Sequence, residues 1–493
     1  MIGKTPGGST GGGGATQLVI RNAGGTGLET VGDGILVVQV LDPTRSDPGA
    51  FVRAPGELRA GAFDYDLFHG GVGGSNPADW FLRNDFIVPP IPPGGGGVPP
   101  IPPGGGGVPP IPTPGPLPPE PILPPDPPPD PLPPGRYPII GPEIATYGVV
   151  QPLARQLGLA TLGTLNDRLG DTYTYGNAPC VTTSPSVVRK GAEAPPAELT
   201  AGCGLGWPSS AWGRLFGQSF DNHYRAFADP RANGQLGGFQ AGLDLLRGSF
   251  LAGQYERAGL YVAYGNLYSD VKGLVTNPQA TGYDLVHTGH VNLDAWSGGA
   301  YWTHTGPGGW YLDAVLQATH YGNTASAEFA RLSNSGTGFI SSLEGGYPFA
   351  LPQLGPGFVI EPQAQILWQR VAFDHSSDLF GDVGLGKTSG ASGRLGLRAK
   401  WTILTTGDVV WQPYLWANLW EDFGAQARTT FSGTDVAELL SRGRRLQLGG
   451  GLTARINANL SLYANADYEF ELGHTDGGKR DSVRGAVGLR YSW

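Results

Sequence analysis

Residues 451–473, GLTARINANLSLYANADYEFELG, decide the fold. Leu452, Ala454, Ile456, Leu460, Leu462, Ala464, Ala466, Tyr468 and Phe470 share one parity. Thr453, Arg455, Asn457, Asn459, Ser461, Asn465, Asp467 and Glu469 share the other. Successive side chains of a strand point to opposite faces, so this stretch reads as two strands, each with an apolar and a polar side, joined at INANL. The pattern runs to the last residue. Val483, Gly485, Val487, Leu489, Tyr491 and Trp493 alternate with Ser482, Arg484, Ala486, Gly488, Arg490 and Ser492. A strand that ends a chain without a polar tail is expected to pair with another strand, leaving no open edge.

Working back from there, residues from Ala211 onward parse into about twelve alternating segments. Short turns are expected at 248–255, 306–309, 351–357, 404–408 and 457–459. Longer polar loops are expected at 221–234, 271–286, 323–336, 374–389, 423–443 and 473–480. Short and long connections therefore alternate, as they do in outer-membrane barrels, whose even strand number returns both ends to one side. Aromatic residues at 301–302, 310–311, 411, 416 and 420 are expected to form girdles. The fold class is all-β, a 12-stranded antiparallel transmembrane β-barrel over 207–493. Its closing strand is expected to meet the first near Trp212 and Arg214, with Val487, Leu489, Tyr491 and Trp493 toward lipid and Arg484 and Arg490 toward the lumen.

Composition agrees with this reading. The 493 residues include 82 glycines and 45 prolines, only 15% are charged, and the net charge is −9. No basic stripe exists, so nucleic acid is not an expected partner. No apolar run reaches the ~18 residues of a membrane helix, whereas half of every barrel strand is polar anyway. Cys180 and Cys203 lie in a Pro/Ser/Gly-rich stretch without a nearby histidine, too few ligands for zinc. They read as a disulfide, which implies an oxidising compartment, or as two unpaired loop thiols. MIGKTPGGSTGGGG has no apolar leader core. An exported protein beginning this way is expected to be a fragment, a mature form or a mis-started frame.

Upstream, residues 1–87 hold short strands between Gly-rich turns (TQLVIRN, GILVVQVL, GAFDYDLF, DWFLRNDF). So little apolar mass makes a poor independent core and reads as the end of a β-solenoid. Residues 88–138 are a linker in which VPPIPPGGGG occurs at 88–97 and again at 98–107, and which holds over half of the 45 prolines. Proline runs extend and glycine blocks swivel, so a spacer is expected. A helix is predicted from Pro152 to Leu169, capped by Gly170, about 27 Å long at ~1.5 Å per residue. Leu153, Leu157, Ala160 and Thr164 lie near one face, with Arg155, Asn166, Asp167 and Arg168 around the rest.

Several motifs lose to plainer readings. GDVGLGKT, 381–388, matches the phosphate-loop pattern G-x-x-x-x-G-K-[ST], but a Gly/Ser-rich strand follows where a helix is required. No cofactor is expected. His287 and His290 fall on opposite strand faces, so no metal site is expected. Asp374-His375 lacks a strained serine. The Asn166-Asp167-Arg168 trio is expected to bond to a polar wall rather than to catalyse, and no enzyme activity is expected.

SGGAYWTHTGPGGWYLDAVLQATHY, SLEGGYPF, EPQAQILWQ, GRLGLRAKW, PYLWANLWEDF and NLSLYANADYEFELG resemble the barrel of autotransporters, the type V secretion proteins, in their pertactin-like branch. GGTGLETVGDGILVVQV and GAFDYDLFHGGVGGSNPADWFLRND resemble the passenger terminus that precedes that family's Pro-rich linker. GPEIATYGVV…TLGTLNDRLGD resembles the helix that plugs its barrel. The resemblance implies a remnant of the passenger at 1–87, the linker, a pore helix within 139–175, and a periplasmic loop with the cysteine pair at 176–206. It implies a Gram-negative outer-membrane translocator that carries its own passenger to the cell surface. The implied partners are outer-membrane lipid, the barrel-assembly machinery, periplasmic chaperones, the chain's own passenger and host-surface ligands, the passenger being an adhesin. It implies pore-helix contacts from Arg155, Asn166, Asp167 and Arg168, and an assembly signal in Val487, Leu489, Tyr491 and Trp493. Members that cut their passenger inside the barrel use an Asn-Asn pair, and the matching positions here are Gly163 and Thr164, so that cleavage is not expected. The alternative is a porin-like channel without a secretion role.

Overall fold

The computed structural model describes residues 3–5, 15–87, 135–169, 210–249 and 254–493, apart from residues 26, 28, 62, 356, 406–408, 458 and 474–477. The chain divides into two compact units. One comprises Met1–Gly141 with Leu274–Leu285, the other Pro142–Gly273 with Val286–Trp493.

In the first unit, Gly3–Thr5 pairs with Val38–Val40 and Thr16–Leu18 with Phe51–Arg53, both parallel and with the same offset along the chain. A constant parallel step is how a solenoid stacks one coil on the next. The coil then changes character. Trp80–Arg83 runs antiparallel between Ile35–Val40 and Asp66–His69. Val38, Val40, Ala50, Ala78 and Trp80 form the core, with Phe51 edge-on to Trp80 at 4.9 Å. His69 packs 4.4 Å from the same ring and lies 3.0 Å from Ser46 Oγ. Burial holds its imidazole below the usual pKa, against the pull of Asp47 and Asp79, so the neutral ring is the one that packs.

The second unit is a closed antiparallel barrel. Its strands are β1 (Ser210–His223), β2 (Arg231–Gly248), β3 (Tyr255–Thr276) and β4 (Tyr283–Thr305). Next come β5 (Tyr311–Ala327), β6 (Arg331–Gly346), β7 (Val359–Phe373) and β8 (Lys387–Lys400). The series ends with β9 (Val410–Phe431), β10 (Thr434–Arg455), β11 (Leu460–Glu471) and β12 (Lys479–Ser492). Each strand pairs with its chain neighbours, and β12 returns to β1 with Trp212 opposite Arg490 and Arg214 opposite Gly488. The outward parity is apolar and exposed, including Leu215, Leu260, Leu316, Ile366, Leu415 and Val487.

Glycines let large inward rings lie flat on the neighbouring strand. A Cβ on Gly242 would come within 2.5 Å of the Trp212 ring, on Gly299 within 2.2 Å of Tyr261, and on Gly488 within 2.3 Å of Tyr463. A side chain at these positions would have to displace a buried ring, which a well-packed interior resists.

Three expectations need correction. The regions 323–336 and 423–443 are not long loops: β5 continues to Ala327, β6 starts at Arg331, and β9 and β10 meet across Ser432–Gly433. A barrel strand needs only ~9–11 residues to cross the hydrocarbon, and the excess continues as a ladder that buries one face (Leu332, Ala427, Phe431) and turns polar residues outward (Arg331, Ser333, Gln426), which looks like a polar loop in sequence. The aromatic positions do not all form girdles. Tyr301, Tyr311 and Trp420 are buried in the lumen while Trp302 and Trp411 face outward. Adjacent residues on a strand point oppositely, so a YW or WY pair supplies one of each. The helix, lastly, is longer than predicted and interrupted: α1 (Pro142–Gly148), α2 (Val150–Leu162) and α3 (Leu165–Leu169). Pro152 lacks the N–H that would reach Gly148, and its ring crowds that carbonyl, so the chain opens at Val149.

Candidate functional site

The interior of the barrel unit is occupied by these three helices. Pro142 suits a first helical position because its missing N–H is one of the orphans there. All of α1 is buried, with Thr146 Oγ1 donating to Thr288 Oγ1 at 3.1 Å and Tyr147 Oη donating to Asp378 Oδ2 at 3.2 Å. Gly163 ends α2 at φ +64°, and a Cβ there would meet the Arg214 guanidinium at 2.5 Å. Thr164 starts α3 with a reciprocal cap: Asp167 N donates to Thr164 Oγ1 at 3.1 Å and Thr164 N to Asp167 Oδ2 at 3.0 Å.

Helix ends carry unpaired backbone groups, and here the barrel wall supplies their partners. Arg214 on β1 donates to the carbonyls of Ala160 at 2.9 Å and Thr161 at 3.4 Å. A cation at a helix C-terminus is the favourable sign. Glu344 on β6 accepts from Leu165 N at 3.2 Å, an anion at a helix start. Tyr463 on β11 donates to the carbonyls of Asp167 and Arg168 at 2.8 and 3.2 Å. Along α2, Gln369 Nε2 donates to Arg155 O at 3.0 Å and Gln317 Nε2 to Thr161 Oγ1 at 3.0 Å.

The side chains singled out in the sequence meet the wall as follows. Arg155 donates to Gln369 O at 3.2 Å, and Asn166 Oδ1 accepts from Arg398 at 3.0 Å. Arg168 forms a buried ion pair with Asp313, whose other oxygen accepts from Thr303 at 2.7 Å. Glu344 also accepts from Tyr311 at 2.9 Å and pairs with Arg394 at 3.0 Å. Around these polar contacts Leu162, Leu165, Trp212, Tyr261, Tyr301 and Ile340 pack as an apolar seal. Beside the helix remains a cavity of about 100 Å³, lined by Arg155, Asp422, Arg445 and Glu469 among others. It has room for a few waters, not for a second polypeptide, since packed strands need ~4.7 by ~10 Å of cross-section.

Sequence reasoning found the helix side of these contacts and missed the wall side. It placed the seam of the first and last strands near Trp212 and Arg214, as found, but missed the side-chain cluster that bridges it. Arg490 on β12 pairs with Asp244 on β2, and its guanidinium donates to Ser210 Oγ on β1 at 2.6 Å. Arg257 on β3 approaches the same carboxylate at 3.4 Å, and Tyr301 on β4 donates to it at 2.5 Å. One aspartate thus ties together five strands. Trp212 joins the cluster through its Nε1, 3.0 Å from Tyr301 Oη. Val487, Leu489, Tyr491 and Trp493 are exposed on the outer face of β12 and after it. Cys180 and Cys203 lie outside the described residues. GDVGLGKT runs through a short strand, Asp382–Gly384, into β8, and no helix follows it. Among the described residues no helix is long and apolar enough to cross a membrane, and no cluster of three potential metal ligands occurs.

The autotransporter beta-domain model matches residues 211–467, the barrel just described. This chain belongs to the autotransporter family. An Autochaperone Domain Type 1 model matches residues 7–67 of this autotransporter. The adhesin BmaC autotransporter of Brucella suis is 26% identical over 97% of the chain, and BrkA of Bordetella pertussis is 30% identical over 52%. The chain spans 12% and 24% of those two relatives. The transport unit of the autotransporter AIDA-I from Escherichia coli shares the fold, with a TM-score of 0.52 at 19% identity over 72% of this chain and all of that one. The barrel is an outer-membrane translocator with a surface-displayed passenger.

Proposed function

We propose that this autotransporter displays an adhesive passenger and keeps its pore shut behind it. The observation that carries the reading is the helix train inside a closed barrel, its ends bonded by Arg214, Glu344 and Tyr463. A diffusion channel has no use for such a seat, which favours a translocator over the porin-like alternative. Export needs no ATP: a passenger coil that folds outside gains a few kcal/mol, and backsliding would require unfolding it. The relative named an adhesin supports a passenger that binds host-surface ligands rather than one that catalyses. Gly163 and Thr164 stand where an Asn-Asn cleavage pair would be, so any release is the work of another protease.

Protease added to intact cells should remove residues before the linker and spare the barrel. A passenger protected until the cells are broken would sink the display reading.

Val487, Leu489, Tyr491 and Trp493 serve in this reading as the signal bound by the barrel-assembly machinery. Deleting Trp493, or Trp493→Asp, should reduce the heat-modifiable, folded barrel in outer membranes at least tenfold. Normal insertion of both variants would remove that role.

A further inference from the structure

The two ends of the proline-rich segment are not merely close. Arg136–Pro138 pairs antiparallel with Asp85–Ile87, in the register Arg136 to Ile87, Tyr137 to Phe86 and Pro138 to Asp85. Pro138 costs this pair little, because an edge position needs no N–H. Arg136 and Asp85 also form an ion pair, with the Asp85 side chain only 2% exposed.

The bonding continues past the strand. Ile139 N donates to Asn84 O at 2.8 Å, and Asp64 N donates to Ile139 O at 3.3 Å. Gly141 lies so near Glu57 that a Cβ would come within 1.7 Å of its carboxylate. On its other side the segment is held by the hairpin tip at the turn between β3 and β4, which groups with the first unit. Thr276 N donates to Ile140 O at 3.0 Å, Ile140 N donates to Thr276 Oγ1 at 2.9 Å, and Tyr283 Oη donates to Pro138 O at 2.6 Å. Phe86 fills the junction. Its ring stacks on Tyr137 at 5.8 Å and meets Tyr283 edge-on at 5.3 Å, and Phe86, Tyr283 and Ile140 are each at most 2% exposed.

Every one of these contacts joins residues before position 88 to residues after 135, or braces the later ones from the hairpin. We infer that residues 85–87, 136–141 and 274–285 form a clasp that keeps the N-terminal β unit bound to the barrel chain after the proline-rich segment is cut. The partner is the passenger fragment itself, taken up as an added strand with an aromatic anchor, a mode in which main-chain bonds give affinity and a buried ring gives specificity. For its use at the cell surface the clasp rests on the display reading. Its existence does not. A cut anywhere in 88–134 turns a covalent tether into a reversible one, so the passenger is retained rather than shed.

The test uses the full chain, purified in detergent, with residues 98–107 replaced by a site for a sequence-specific protease. After complete cutting, judged on a denaturing gel, the two fragments should co-elute on size exclusion and separate only in denaturant. Separation in native buffer overturns the clasp. Phe86→Asp and Tyr283→Ala should each speed dissociation at least tenfold, with the barrel's heat-modifiability unchanged. Tyr283→Ala leaves the N-terminal fragment's own sequence intact, so misfolding of that fragment cannot mimic the result. Arg136→Asp should weaken retention and the swapped pair Asp85→Arg with Arg136→Asp should restore it. If both aromatic variants stay bound as firmly as the parent, the contact lies elsewhere and the assignment is wrong. Co-elution here combined with a passenger protected on intact cells would sink display while leaving the clasp standing.

Discussion

Asp244→Ala should cost the barrel about 3–5 kcal/mol, the penalty for removing one partner of a buried ion pair. Two guanidiniums, Arg490 and Arg257, converge on this carboxylate with side chains 1% and 4% exposed. Without it, like charges face one another in a lumen lined by protein, beside Ser210 and Tyr301, which have also lost an acceptor. The loss falls on the seam where β12 meets β1. It should appear as a lowered midpoint in urea unfolding, followed by the heat-modifiable gel shift. Asp244→Leu combined with Arg490→Met and Arg257→Met should recover much of the loss, since apolar replacement of a whole buried ionic triad is often neutral. A single variant as stable as the parent would show that the seam stands on its backbone ladder alone.

Arg168→Glu should open the pore. Arg168 and Asp313 are 1% and 2% exposed, and Glu344 accepts the neighbouring Leu165 N. The variant sets three carboxylates together where water is scarce, against about 3–5 kcal/mol of lost pairing. The end of the helix train should leave its seat, and planar-bilayer conductance should rise several-fold toward that of a barrel lacking residues 142–169. Adding Asp313→Arg reverses the pair and should close the pore again. Conductance unchanged by Arg168→Glu would mean the apolar seal of Leu162, Leu165 and Trp212 suffices.

The membrane-embedded part of the strands was legible because lipid imposes a strict parity. Leu452, Leu462 and Val487 could be assigned to the outer face on periodicity alone. Where a hairpin leaves the hydrocarbon the constraint lifts. Residues 331–338, RLSNSGTG, hold a single apolar side chain, Leu332, among small and polar ones and could not be told from a loop, although β6 begins there. The same logic hid α1 from a reading by periodicity, although the resemblance of GPEIATYGVV to a plug helix covered it. A helix enclosed on every side has no wet face to set a 3.6-residue period, so Ile144, Ala145, Tyr147 and Val149, all buried, show none. The signal that was available is Pro142-Glu143, a proline and an acid at a helix start. At the site, Arg155, Asn166, Asp167 and Arg168 stood out as polar residues on a helix. Their partners Gln369, Arg398, Tyr463 and Asp313 lie more than a hundred positions away on separate strands, and a single sequence contains no term linking them.

The pairing of β12 with β1 sets an order of events as well as a shape. Every residue of Ser210–Ser492 must be synthesised before the first strand gains its second neighbour. Until then Ser210–His223 has one bare edge and an apolar outer face, and contacts so distant in sequence form slowly. The cylinder can therefore shut only after its last strand exists, however the earlier strands pair. Defects that lengthen this interval will lower yield without altering the finished molecule.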